Sequence, residues 1–319
     1  MKRVFALTAA LGAFAALFFA APQVLDCCRF GLRLCAELIL PSLFPFFLLS
    51  GLLSRLGLPL FLGQFLSPAA SRLFRISGTG ATAFLIGLTG GYPLGAAYIA
   101  DLVQEGQIPT AEAEKLLAFC NNSGPAFLVG AIGVGVFGSV RLGLLLYVVH
   151  GLAAFLTGII LRRRGAYVPS VVREAPAPPP FARAFSDTVR QTVLSLLTVC
   201  GFVVSFTAFA GLLNVNGALS LLAGFLSRLL GRELSWCRDL LTGFWELGGG
   251  IGALRGLRPT PINLALASLL AGWGGISVHF QTLALLSEVE IKSAPHTAGR
   301  FLSACISFLL TWLISRCLV

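Results

Sequence analysis

Charge is what this chain lacks. Of its 319 residues only 11% are Asp, Glu, Lys or Arg, against roughly 25% in a soluble globular domain. So few charges cannot wet the surface of a chain this long, which excludes a water-soluble globule. Disorder is excluded from the other side: 56% of the residues are hydrophobic, and disordered chains are poor in them. Acid is scarcer than base, with 13 Asp and Glu against 23 Lys and Arg, a net charge of +10. The bases are scattered between apolar runs. That is a poor pattern for nucleic acid and a good one for loop residues that orient a membrane protein. The 8 Cys include no CxxC, and no His lies beside the adjacent pair Cys27 and Cys28. Neither a zinc site nor a disulfide framework is expected, and each Cys reads as a small buried hydrophobe. GxSxG, HExxH and GxxxxGK[ST] are absent, so the sequence supports no hydrolase, metalloprotease or ATP-driven pump. No enzyme, metal or cofactor is expected.

What is present is apolar length broken by helix-disfavouring residues. There are 36 Gly, 16 Pro and 26 Phe, and Gly and Pro are commoner in membrane helices than in soluble ones. Apolar segments cover 4–21, 36–54, 56–70, 79–100, 116–138, 142–161, 189–213, 218–230, 239–254, 262–287 and 299–318. A clean span needs about 20 apolar residues. Segments 142–161, 189–213 and 299–318 qualify as ordinary helices, and the others carry interruptions. Met1, Lys2 and Arg3 precede the run from Val4 to Ala21. That run is long for a signal peptide and lacks a clean cleavage site, so it reads as an uncleaved first helix with its N-terminus on the cytoplasmic side.

One stretch is not membrane. Arg162, Arg163 and Arg164 lead into Pro169, Pro176, Pro178, Pro179 and Pro180, a basic stop followed by a Pro-rich linker. The expected organisation is an N-terminal helix and connection at 1–35, a first membrane repeat at 36–161, the cytoplasmic linker at 162–188 and a second repeat at 189–319. The two repeats run in the same pattern. Each has a long opening helix, a segment ending in a Gly cluster (85–96; 241–253), a second broken segment (116–135; 266–285) and a closing helix. With the N-terminus inside, taking 116–138 and 262–287 as hairpins puts the Arg triplet and most other bases inside. It leaves Arg228, Arg232 and Arg238 outside. The fold class expected is an all-α polytopic membrane protein of two inverted structural repeats, with broken helices and re-entrant hairpins, a common transporter plan.

The breaks are the candidate site. Asn121-Asn122-Ser123-Gly124-Pro125 is polar and helix-breaking between apolar flanks. In lipid, such backbone is tolerated only where it is buried in protein or lines a watery cavity. Pro125 suits the first turn of a new half-helix, whose partial positive charge favours a carboxylate. A surface loop between two ordinary helices is the plainer reading. In the second half, Gly275 precedes Ser277, His279 and Gln281, whose alternation suits an extended segment or a hairpin tip. His279 could shuttle protons, bond a carboxylate or simply pack. Gly91, Tyr92 and Pro93 break the first Gly-rich segment. Glu246, before three glycines, is the most interior-looking carboxylate. It reads as a proton or cation coupling candidate or as a helix cap.

Several of these motifs together resemble a known family. FPFFLLSGLL at 44–53, GGYPLGA at 90–96, NNSGPAFLVGAIGVGVFG at 121–138 and GGISVHFQ at 274–281 are similar to the sporulation integral membrane protein family YlbJ, also called SpoVV, in that family's order. The resemblance covers about residue 36 to the end. It implies the nucleoside-recognition Gate domain, shared with concentrative nucleoside transporters. It also implies a transporter of dipicolinic acid in an endospore-forming bacterium, in the membrane the mother cell wraps around the forespore. Dipicolinate is a small planar dianion with an aromatic ring. Half-helix N-termini, Asn amides and Tyr or Trp faces suit it, and they equally suit a nucleoside or another small carboxylate. The partners expected are the lipid bilayer, such a solute and, compatible with the composition, further copies of the chain. A non-transporting sporulation scaffold is the competing reading.

Overall fold

The computed structural model describes residues 7–8, 11–12, 14–15, 18–162, 179–287 and 289–318. Most of the basic linker and part of the first apolar run lie outside them. The described residues form helices joined by turns and breaks and contain no strand. Five helices are long and apolar enough to cross a membrane, and the chain is an all-α polytopic membrane protein.

Two 35-residue helices frame it. α1 (Ala21–Leu34) continues through a π-helical turn (Cys35–Ile39) into α2 (Leu40–Arg55). The residues expected to form a connection before 36 are therefore helical. At 1.5 Å per residue the rod is about 50 Å long, well beyond the ~30 Å hydrocarbon core. It lies antiparallel to α9 (Phe181–Val215), which begins inside the expected linker: Gly31 abuts Val204, and Gly51 abuts Thr188. At one end of the pair Arg55 reaches Asp187 at 3.8 Å.

The remaining elements repeat in order. After α2 come α3 (Leu58–Leu73), α4 (Gly78–Gly90), α5 (Leu94–Gln104), α6 (Thr110–Cys120), the π-helix α7 (Ala126–Val136) and α8 (Val140–Leu161). After α9 come α10 (Ala218–Leu230), α11 (Leu234–Trp245), α12 (Leu247–Ala253), α13 (Pro261–Trp273), α14 (Gly275–Leu286) and α15 (Ala294–Leu318). Side-chain caps mark several starts: Ser77 accepts from Gly80 N–H, Ser139 from Leu142 N–H and Thr260 from Asn263 N–H. Each satisfies one orphan donor of a first turn.

The two inverted repeats contain both broken helices and re-entrant hairpins, but the hairpins are the other member of each pair. α4 and α5 fold back on one another, with the Thr82 and Tyr98 hydroxyls 3.0 Å apart. α11 and α12 do the same, Gly243 against Gly250. α6 and α7 do not pack side by side, nor do α13 and α14. The segments expected as hairpins, 116–138 and 262–287, are instead broken helices that continue onward. Glycine explains the reversal. Residues without side chains let two antiparallel half-helices touch, and the hairpin segments put glycines on their facing sides. Exchanging hairpin and crossing within each pair leaves the Arg triplet on its expected side. It moves Arg255 and Arg258 to the opposite one. Cross-links agree with the exchange: Glu112 accepts from Ser77 N–H at 2.6 Å, and Lys115 donates to Arg75 carbonyl at 3.1 Å. At the far end Phe137 packs against the apolar cluster that contains Leu254.

Candidate functional site

All four breaks meet. Within the first half, Gly91 and Gly124 touch backbone to backbone: a Cβ built on Gly91 would lie 2.7 Å from the Gly124 nitrogen. Within the second, a Cβ on Gly275 would lie 2.8 Å from the Leu247 nitrogen. Gly274 and Gly275 hold φ of +87° and +75°, a left-handed pair open to glycine and strained for other residues. The turn ends α13 and starts α14 without a loop. The halves are then cross-tied. Ser123 Oγ donates to Ala271 carbonyl at 3.0 Å, Asn121 Nδ2 to Thr282 Oγ1 at 2.9 Å and Tyr92 Oη to Ala271 carbonyl at 3.3 Å.

Between the breaks lies a cavity of about 60 Å³, bounded by Tyr92, Ser123, Gly124, Glu246, Ser277 and Gln281. Gly91 also borders it, and α2 and α9 close one side through Leu43, Val199 and Val203. The other expected site residues stand around it. Pro93 starts α5 through a cis peptide bond with Tyr92. Asn122 Nδ2 donates to Phe119 carbonyl at 2.8 Å. The segment expected as extended or as a hairpin tip is helix α14, and this changes what its alternation means. Residues four apart share a helical face, so Ser277 and Gln281 line the cavity together. His279, two residues from each, turns away. Its ring centroid lies 4.2 Å from Trp273 and 4.9 Å from His296.

Glu246 is 2% exposed and caps α12: Oε1 accepts from Gly248 N–H at 2.9 Å and Oε2 from Gly249 N–H at 2.5 Å. Of its two expected roles, the cap is the one the geometry displays. Pro125 stands at the N-terminus of α7, as its ring geometry suggests.

Three residues near the breaks were not singled out by sequence reasoning. His150 on α8 is fully buried, and its Nε2 accepts from Ser123 N–H at 3.1 Å. His296 Nδ1 lies 3.2 Å from Leu117 carbonyl. Arg300, counted with the orienting bases, is fully buried. Its Nη1 donates to Asn122 Oδ1 at 2.9 Å and to Tyr92 Oη at 3.3 Å, and its Nη2 to Ala118 carbonyl at 3.4 Å. Arginine does not deprotonate in proteins, and a buried ion costs several kcal/mol even after relaxation. The available signal was position: Arg300 stands inside the apolar run 299–318. It begins one buried face of α15 that continues through Ser303, Ser307, Thr311 and Ser315.

A bundle of long apolar helices encloses broken helices whose tips meet at a small cavity with a mainly apolar lining and a few polar groups, an architecture of the membrane-carrier type. Solved structures agree on the fold. CNTnw, of the concentrative nucleoside transporter fold, matches in its intermediate 3 state with a TM-score of 0.62 and 14% identity. That match covers 99% of this chain and 85% of CNTnw. An outward-facing state of CNTnw matches with a TM-score of 0.54, covering 98% and 83%. No family model matches the chain. The sporulation integral membrane protein YlbJ of Bacillus subtilis (strain 168) is 32% identical, over 88% of this chain and 76% of that protein. The chain belongs to the YlbJ family of sporulation integral membrane proteins.

Proposed function

We propose that the chain transports a small anionic aromatic solute, dipicolinic acid, during endospore formation. Its place of work is then the mother-cell-derived outer forespore membrane. The observation that carries this reading is the meeting of all four breaks at one buried cavity between the halves, in a family tied to sporulation. Discontinuous helices place half-helix N-termini and free backbone groups around a solute at a repeat interface. Tyr92 offers an aromatic face, and Ser123, Ser277 and Gln281 offer hydrogen bonds. The cavity is small as it stands, so loading requires the tips to part. Such hinge and shear motions of packed elements are the usual means of alternating access.

The test is uptake of labelled dipicolinate into vesicles containing the purified protein, with and without ion gradients. Saturable uptake that excess unlabelled dipicolinate suppresses supports the reading. Uptake of a nucleoside with no response to dipicolinate transfers the site to the other solute class. Vesicles that take up neither point to a scaffold.

A further inference from the structure

Arg300 is a buried guanidinium without a counter-ion. Among the described residues, no carboxylate oxygen comes within 4.0 Å of it; the ion pairs belong to Arg29, Arg55 and Arg183. Its acceptors are neutral: an amide oxygen, a phenol and a peptide carbonyl. Its Nε is buried without any partner. Ala118, the carbonyl acceptor, sits in the last turn of α6, where a helix carries partial negative charge. That partial charge helps hold the guanidinium in place and leaves a net positive charge.

Position gives the charge a use. The two side chains that Arg300 grips, Tyr92 and Asn122, belong to the two breaks of the first half. Tyr92 and Ser123, the residue after Asn122, both border the central cavity. One layer of neutral side chain therefore separates the cation from the solute space. From this placement we infer that Arg300 is the residue that selects a carboxylate-bearing solute. Asn122 and Tyr92 occupy the guanidinium while the cavity is closed, and a solute carboxylate takes their place when the tips part. The exchange is favourable because charge-assisted hydrogen bonds are roughly twice as strong as neutral ones, and the guanidinium fork matches a carboxylate with two parallel bonds. An uncharged solute gains nothing from the same exchange. This inference rests on the reading of the cavity as an anionic solute site.

The experiment compares two probes on the purified protein in nanodiscs: pyridine-2,6-dicarboxylate and its uncharged diamide. The readout is the ratio of their affinities. In Arg300→Gln the ratio falls about 100-fold from wild type, and Arg300→Lys, which keeps charge and loses the fork, falls between the two. Asn122→Asp covers the case in which the Gln variant does not fold. It gives the guanidinium an internal counter-ion, so it folds and shows a similar fall in the ratio. A wild-type ratio retained in a folded Arg300→Gln or Asn122→Asp protein overturns the inference and leaves the transport reading standing. A wild type that binds neither dicarboxylate nor any smaller carboxylate overturns the reading, and the inference falls with it.

Discussion

The two halves share an element order and hold their breaks by different means. In the second half the break at Glu246 supplies its own partner: the carboxylate reaches forward to two N–H groups of its own helix start. In the first half neither Pro93 nor Pro125 provides a side-chain cap. There Asn122 Nδ2 stays on its own helix through Phe119 carbonyl, and the other ties run to other elements: Asn122 Oδ1 to Arg300 of α15, Asn121 to Thr282 of α14, and Ser123 to His150 of α8 and to α13. A locally closed break keeps its hydrogen bonds wherever it moves. A break tied to four other helices must surrender them to move, so the first half is the one whose release depends on what replaces those bonds.

The all-or-none test of this comparison is sidedness. In a Cys-free background, Glu105→Cys and Arg162→Cys label from one face and Gly138→Cys and Arg258→Cys from the other, if the Gly-rich segments are the hairpins. Labelling of Glu105→Cys together with Gly138→Cys restores the arrangement expected from apolar length alone.

Next in size is the shared backbone contact of the tips. Gly91→Ala and Gly275→Ala each add a Cβ to a backbone contact and force a left-handed residue to carry it. Each is expected to cost about 3 kcal/mol, from strain and overpacking together, read as a lower midpoint of thermal unfolding in detergent. Tolerance in one half only would show that the tip contacts are not equivalent.

The ties themselves separate the halves. Asn122→Ala removes the shortest acceptor of a buried guanidinium and is expected to cost about 2–3 kcal/mol. Glu246→Gln weakens a cap, and about 1 kcal/mol is expected. With the carboxylate acting as a cap, transport by the Gln variant keeps its pH dependence. Loss of that dependence in a stable Gln variant returns Glu246 to proton coupling.

The smallest effect distinguishes two serines that border the cavity, one from each half. Ser123→Ala gives up a bond to Ala271 carbonyl, worth about 1 kcal/mol. Ser277 Oγ is buried with no partner in the closed cavity, so Ser277→Ala leaves the unfolding midpoint near wild type. A transport defect in Ser277→Ala then reports contact with the solute.

Legibility varied with the range of the interaction. The breaks at 91–93, 121–125, 246 and 274–275 were readable, because Gly, Pro and amide side chains between apolar flanks act on their own backbone. The alternation Ser277, His279, Gln281 suits an extended segment or a hairpin tip and is helical in the fold, because a short polar rhythm does not distinguish a strand from one and a half helical turns. Arg300 falls among the bases that orientation alone accounts for, because one Arg near a helix start is the usual signature of orientation.

What the sequence by itself determined is the solvent and the punctuation. An 11% charge content and long apolar runs demand a bilayer, and local backbone preferences say where helices must stop. Only the tertiary structure decided which broken segments fold back and which continue, since that depends on whether the two glycine faces find each other across a turn. It alone also brought Arg300 onto Asn122, 178 positions away. The energy of a buried charge depends on the groups within a few ångströms of it, and those neighbours come from distant parts of the chain.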